Sequence, residues 1–497
     1  MQKIVELANQ GRVYDVANIT PLSFANQLSK RFNNSVYLKR EDEQSVHSFK
    51  LRGAYQKICA LSEEELARGV IASSAGNHAQ GVALAAKRVG TQATIVMPLS
   101  TPKIKVQSVE QLGANVVLHG DVYDDAYQFA KKLEKDGDMV FIHPFDDIEV
   151  IAGQATVAKE ILTQLDDIDK VFVPVGGGGL IAGIAAYIKH SAPQIEVIGV
   201  EPEDSPTLYQ ALKTGKRTVL SEVGRFADGV AVKQIGETTY SIIKGIVDQV
   251  ILVSNDEICA AVKDIFEDTR SIAEPAGALA TAGVKKYLEV NKTKDQNIVA
   301  IISGANVNFD RLRYIAERAD LGEHNEAIIA VTIDEKPGSF LNFCNLLDNH
   351  AITEFNYRYS NGGEAHIFVG VELTGGLDEK HKLITKLQKS FEVLDMSDNS
   401  MAKTHIRYMV GGRADVDDEV LYRFEFPERP NALLNFLKKV GTNWNISLFH
   451  YRNHGADFGR VLIGLQANDI AQLERRFDEL GYFYTNETDN KAYRYFL

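Results

Sequence analysis

The sequence predicts an α/β protein built on parallel sheets, followed by a duplicated α+β module. Three observations predict it. Between about residues 48 and 310, short β-branched runs end in glycine-rich turns and lead into alanine-rich helical stretches. Those runs are near-continuously apolar, as strands covered on both faces must be. After Asn325 the pattern changes, and a segment reading strand, helix, strand, hairpin, strand occurs twice.

Taken in order, GVIASSAGN leads into HAQGVALAAKRVG, and ATIVMPLS leads into a helix opened by Thr101 and Pro102. ANVVLHG and MVFIHPF supply two further strands. KVFVPVGGGG passes into LIAGIAAYIKH, IEVIGVEPE follows, and NIVAIISGAN closes the region. Ligands in such folds gather at the carboxyl ends of strands, where SSAGN, GGGG and SGAN fall. In the C-terminal part, EKP (Glu335 to Pro337) aligns with ERP (Glu428 to Pro430), 93 positions on. One later insertion brings Tyr357–Arg358 onto Tyr451–Arg452. Each copy reads β-α-β-β-α-β, with its proline near a helix start. Such a pair serves either as a structural prop or as a ligand-binding module with a cleft between the copies.

A chain of 497 residues holds two to four domains. Charged residues at 24% and hydrophobic ones at 45% suit a soluble globular enzyme. A net charge of −13, with no stripe of Lys and Arg among aromatics, argues against nucleic acid as a partner. Cys59, Cys259 and Cys344 are far apart and have no metal-ligand spacing, so they read as reduced thiols and no metal is expected. No run is apolar enough to cross a bilayer, and the start has no signal or transit character. The expectation is a cytoplasmic protein that does not engage a membrane.

Four places carry chemistry. Gly176, Gly177, Gly178 and Gly179 follow a strand and open a helix, where bare backbone N–H groups and the helix dipole suit a phosphate. No Gly-Lys-Ser/Thr follows, so this is not a P-loop. A dinucleotide site stays open as an alternative, because Gly177, Gly179 and Ala182 fit G-x-G-x-x-A and Glu201 ends the next strand. The turn Ser74, Ala75, Gly76, Asn77, His78 could receive a small carboxylate, or Asn77 could simply cap the next helix. Ser303 ends a buried strand, facing a ligand or capping a turn. Lys50, between Phe49 and Leu51 in SVHSFKLRGAY, either snorkels or is a partly desolvated, reactive amine.

SFKLRGA, SSAGNHAQG, AGQATVAKE, GGGGL, EPAGA and SGAN occur in this order. Together they resemble the biosynthetic threonine dehydratases, pyridoxal-phosphate enzymes of the tryptophan-synthase-β fold (fold type II), and the paired C-terminal modules resemble ACT-like regulatory domains. The resemblance runs from about Val13 through the duplication. It implies a catalytic domain over 1–322, with a small subdomain at about 50–145, and regulatory domains over 323–410 and 411–497. It implies that Lys50 carries pyridoxal 5'-phosphate, Phe49 packs near its ring, Asn77 meets the ring hydroxyl, and Ser303 faces the ring nitrogen. Gly176 to Gly179 and Leu180 would hold the phosphate, and Ser74 to His78 the substrate carboxylate. The implied reaction is deamination of L-threonine to 2-oxobutanoate and ammonia, slower on L-serine, at the first step of isoleucine synthesis. The implied effectors are isoleucine as inhibitor and valine opposing it, near Tyr357, Arg358, Tyr451 and Arg452, in a homotetramer. Ala75 stands where related racemases carry a serine, which favours elimination alone. Serine dehydratase and threonine or cysteine synthase are neighbouring alternatives, as is a non-enzymatic amino-acid sensor.

Overall fold

A computed structural model of the chain describes all residues except 138, 335–342, 344–345, 348–349, 351, 359–363, 409–417, 428–435, 437–438, 440–443, 453–457 and 497. The side chains of 320, 352–358, 365, 408, 445–447, 449–452 and 496 also lie outside the description. Packing divides the chain into two compact units, Met1–Phe309 and Asp310–Leu497.

The first unit holds two sheets. The larger is six-stranded, in the order β1-β2-β10-β7-β8-β9. Its strands are β1 (Leu22–Phe24), β2 (Ser35–Arg40), β7 (Lys170–Pro174), β8 (Glu196–Pro202), β9 (Gln249–Val253) and β10 (Asn297–Ile302). All neighbours are parallel except the β1–β2 edge pair. The smaller sheet is parallel, in the order β5-β4-β3-β6: β3 (Val70–Ser73), β4 (Ala93–Met97), β5 (Asn115–Leu118) and β6 (Val140–Phe141). The strand runs expected from β-branched stretches are therefore present as two parallel sheets. β7 and β10 are buried along nearly their whole length, as expected of strands covered by helices on both faces.

Three helices bring the chemistry together. The lysine helix (Lys50–Cys59) packs on Ile148–Gln164, which in turn packs on the glycine-loop helix (Gly179–Ser191). The contacts are made through small residues. A Cβ at Gly153 would stand 2.6 Å from the Arg52 carbonyl oxygen, and one at Gly183 would stand 2.5 Å from that of Ile151. Between the first two helices lies a buried charge network. Arg52 contacts Glu41 at 2.8 Å and Glu160 at 2.6 Å, and Lys39 contacts Glu160 at 2.6 Å. Two cations balance two anions there, which is how such charges are tolerated out of water.

The second unit contains two antiparallel four-stranded sheets of the same topology, β12-β13-β11-β14 and β16-β17-β15-β18. Their strands are β11 (Glu326–Asp334), β12 (Ile352–Arg358), β13 (Glu364–Glu372), β14 (Glu392–Asp395), β15 (Glu419–Pro427), β16 (Asn445–Arg452), β17 (Phe458–Gln466) and β18 (Phe483–Asn486). The repeat extends to detail: the β12–β13 register shifts between Ile352 and Glu354, and the β16–β17 register shifts between Ile446 and Leu448. Each sheet has its own apolar core, and a third cluster joins Ile328, Phe368, Leu421 and Leu462 across the two copies. EKP and ERP, with both aligned prolines, lie outside the described residues. Arg311–Gly322 falls in the second unit, where its Leu321 joins the shared cluster.

Candidate active site

Phe49, Lys50, Asn77, Gly176, Gly177, Gly178, Gly179, Leu180 and Ser303 all line one cleft in the first unit. Lys50 opens its helix with Phe49 as the preceding residue. Its amine turns into the cleft, 3.4 Å from the Pro144 carbonyl oxygen and 5.4 Å from the centre of the Phe49 ring. Burial lowers its pKa from 10.5 to about 8, and the negative charge of Glu274 pulls the other way. A lysine near neutrality can act as nucleophile and base without first losing a tightly held proton.

The glycine loop needs its glycines. Gly178 has φ of +92°, and a Cβ at Gly177 would stand 2.2 Å from the Phe145 ring. The loop's carbonyls are tied back into the protein. Gly177 O accepts from Thr239 Oγ1 at 2.8 Å and Gly236 N at 3.2 Å, and Gly176 O accepts from Thr207 Oγ1 at 3.5 Å. Among the described residues no bond runs from the N–H of Gly176, Gly177 or Gly178 to another group of the chain. This cradle of bare N–H groups at the start of a helix matches the phosphate of pyridoxal phosphate, with the amine of Lys50 available for its aldehyde.

Asn77 does not cap its helix. Gly76 holds that position, and Asn77 is the first helical residue. Its Nδ2 donates to Glu274 Oε1 at 2.6 Å, and its Oδ1 accepts from Asn306 Nδ2 at 2.7 Å. Ser303 is 4% exposed and donates from Oγ to the Ala276 carbonyl at 3.3 Å, so it caps no following turn. Of the turn Ser74–His78, only Asn77 lines the cleft. Ser74 Oγ accepts from Gly76 N at 3.2 Å. His78 is buried, with Nε2 donating to the Ile142 carbonyl at 2.8 Å. Burial, with the nearby Lys50 charge, drops its pKa to about 3, so the ring is neutral and points away from a carboxylate role. The Ser74 N–H is taken by the Val96 carbonyl, so what this turn offers a carboxylate is the backbone N–H of Ala75, Asn77 and His78.

Glu201 does not serve a ribose. It is fully buried, accepting from Thr207 Oγ1 at 3.0 Å, Leu208 N at 2.7 Å and Tyr209 N at 2.8 Å at the start of helix Thr207–Thr214. The dinucleotide reading fails there. The backbones of Tyr357, Arg358, Tyr451 and Arg452 lie in β12 and β16, and their side chains lie outside the described residues. Cleft residues that sequence reasoning did not single out include Gln154, Phe145, Val230 and Glu274. Gln154 and Glu274 sit inside AGQATVAKE and EPAGA, so the motifs were visible and the roles were not. Phe145 and Val230 carry no sequence signal.

Comparison with known proteins agrees with this geometry. Residues 13–304 match the family of pyridoxal-phosphate dependent enzymes, and 317–406 and 410–497 each match the C-terminal regulatory domain of threonine dehydratase. The chain is 54% identical over 491 residues to a biosynthetic L-threonine dehydratase of Pasteurella multocida, covering 98% of this chain and 96% of that protein. It is 52% identical over 488 residues to the Escherichia coli protein of the same name, covering 98% and 95%. The processed form of threonine deaminase isoform 2 from Solanum lycopersicum superposes with a TM-score of 0.63 at 49% identity, covering 64% of this chain and 93% of that one. A serine racemase from Dictyostelium discoideum superposes at 0.58 with 33% identity, covering 62% and 98%. The chain belongs to the pyridoxal-phosphate dependent enzymes and, within them, to the biosynthetic threonine dehydratases that carry a two-part C-terminal regulatory region.

Proposed function

We propose that this chain is a threonine ammonia-lyase. It deaminates L-threonine to 2-oxobutanoate and ammonia, more slowly L-serine, at the first step of isoleucine biosynthesis. The observation that carries this is the meeting of the Lys50 amine with the bare N–H cradle of Gly176–Gly178 in one cleft.

When bound, pyridoxal phosphate supplies an electron-accepting ring that makes the substrate's Cα proton acidic. Lys50 Nζ attaches the cofactor and, once freed, takes that proton. Its lowered pKa suits both tasks. Gly176 to Gly179 and Leu180 would hold the phosphate through N–H groups. Phe49 would pack beside the ring. Asn77 meets the ring hydroxyl, its amide held in orientation by Glu274 and Asn306. Ser303 would face the ring nitrogen as a neutral group, without the negative charge that would keep that nitrogen protonated, which would favour elimination over transamination. The turn Ser74 to His78 would receive the carboxylate through the N–H groups of Ala75, Asn77 and His78, which the described residues leave open.

The regulatory region, from about 323 onward in two copies, binds isoleucine as inhibitor, with valine opposing it, through the β12 and β16 strands that carry Tyr357, Arg358, Tyr451 and Arg452. Such control needs unequal binding to two states of an oligomer, here a homotetramer. The test is a keto-acid assay on L-threonine with and without isoleucine. Release that isoleucine suppresses and valine restores is expected. No release from L-threonine overturns the activity, and release indifferent to isoleucine overturns the regulation.

A further inference from the structure

Gln154 lies in the helix Ile148–Gln164 and is 1% exposed. Among the described residues neither its Nε2 nor its Oε1 has a hydrogen-bond partner. Its neighbours on that helix are paired. Thr156 Oγ1 and Glu160 Oε1 accept from Arg52, and Glu149 Oε2 accepts from Gln56. A buried amide without a partner is costly and rare, and methionine would fill the same space without that cost. Gln154 lines the cleft together with Lys50, Phe49 and the glycine loop. Its Nε2 lies beside the lysine helix, where a Cβ at Gly53 would stand 2.4 Å from it. The cleft it shares is built for an anion, by bare N–H groups at a helix start.

We propose that Gln154 is a binding residue of the active site, its Nε2 donating to an oxyanion of the bound molecule: the phosphate of the cofactor or the carboxylate of the amino acid. The proposal rests on the reading of this cleft as a pyridoxal-phosphate site. Its consequence is an opposition between stability and affinity. Removing the amide relieves the chain alone and weakens the complex.

The test uses the full chain stripped of cofactor, as wild type, Gln154→Met and Gln154→Glu. Pyridoxal phosphate is titrated by visible absorption, thermal unfolding is followed without cofactor, and the KM for L-threonine is taken at saturating cofactor. For Gln154→Met, the cofactor Kd or the threonine KM rises about ten- to a hundredfold, while the Tm without cofactor does not fall. A raised Kd assigns the phosphate, and a raised KM alone assigns the carboxylate. Gln154→Glu binds more weakly still, because a carboxylate repels an oxyanion. Unchanged Kd and KM in Gln154→Met, or Gln154→Glu binding as tightly as Gln154→Met, overturns the proposal. Failure of the wild type to take up cofactor removes the underlying reading of the cleft and is distinct from both.

Discussion

Arg52 Nη1 lies 2.6 Å from Glu160 Oε1, and neither side chain is more than 3% exposed. Arg52 is two residues beyond Lys50, so the pair ties the reactive lysine's helix to Ile148–Gln164. Removing the guanidinium leaves Glu41 and Glu160 with Lys39 as the remaining cation of this network. Arg52→Met is expected to cost about 3–5 kcal/mol of unfolding free energy, the usual result of breaking a buried pair on one side. Urea unfolding followed by tryptophan-independent far-UV signal measures it, and a cost below about 1 kcal/mol contradicts the anchoring role.

A second expectation concerns pH. Only the neutral amine of Lys50 attacks an aldehyde. With its pKa at about 8, attachment of pyridoxal phosphate to the cofactor-free chain should quicken about tenfold per pH unit below that value and level off above it. Glu274 favours the ammonium, so Glu274→Gln should move the midpoint down. Stopped-flow absorbance across pH reads this, and a midpoint that stays or rises contradicts the assignment. The sign for stability follows from the same shift. The unfolded lysine binds its proton up to about 10.5 and the folded one only to about 8, so the cofactor-free chain gains stability as pH rises through that window.

Ala75 gives a third. It stands in the turn before the Asn77 helix, partly buried against the core of the smaller sheet, with no group able to carry a proton. L-Serine should yield pyruvate and no D-serine, and Ala75→Ser should introduce a measurable D-serine product. Chiral chromatography decides, and D-serine formed by the wild type contradicts the account.

These expectations draw unequally on sequence. β3, β4, β7, β8 and β10 were legible because apolar β-branched runs ended in glycine or serine turns. β2 was not, because SVYLKR ends in Lys39 and Arg40. Both are buried, which is tolerable because Lys39 meets the distant Glu160 and Gln164, and Arg40 meets Asp42, Glu43 and Ser271. The duplication was legible from EKP and ERP, and its matching register shifts were not, since a bulge leaves no motif. The cofactor cradle was legible as four glycines. The Asn77–Glu274 bond was not, because its partners are 197 residues apart and neither carries a pattern that names the other. Glu201 misled for a related reason: its position after a strand fits a ribose ligand, and only the folded chain shows its oxygens committed to Thr207, Leu208 and Tyr209.

The central claim is that the amine of Lys50 attaches the cofactor and moves the substrate proton. It is tested most directly by 2-oxobutanoate release from L-threonine, comparing the wild type with Lys50→Ala, both incubated with pyridoxal phosphate. The account expects a yellow, active wild type and a variant that lacks the visible band of the attached cofactor and is slower by at least about 10²–10⁴-fold. A Lys50→Ala chain that keeps both the colour and the activity contradicts it.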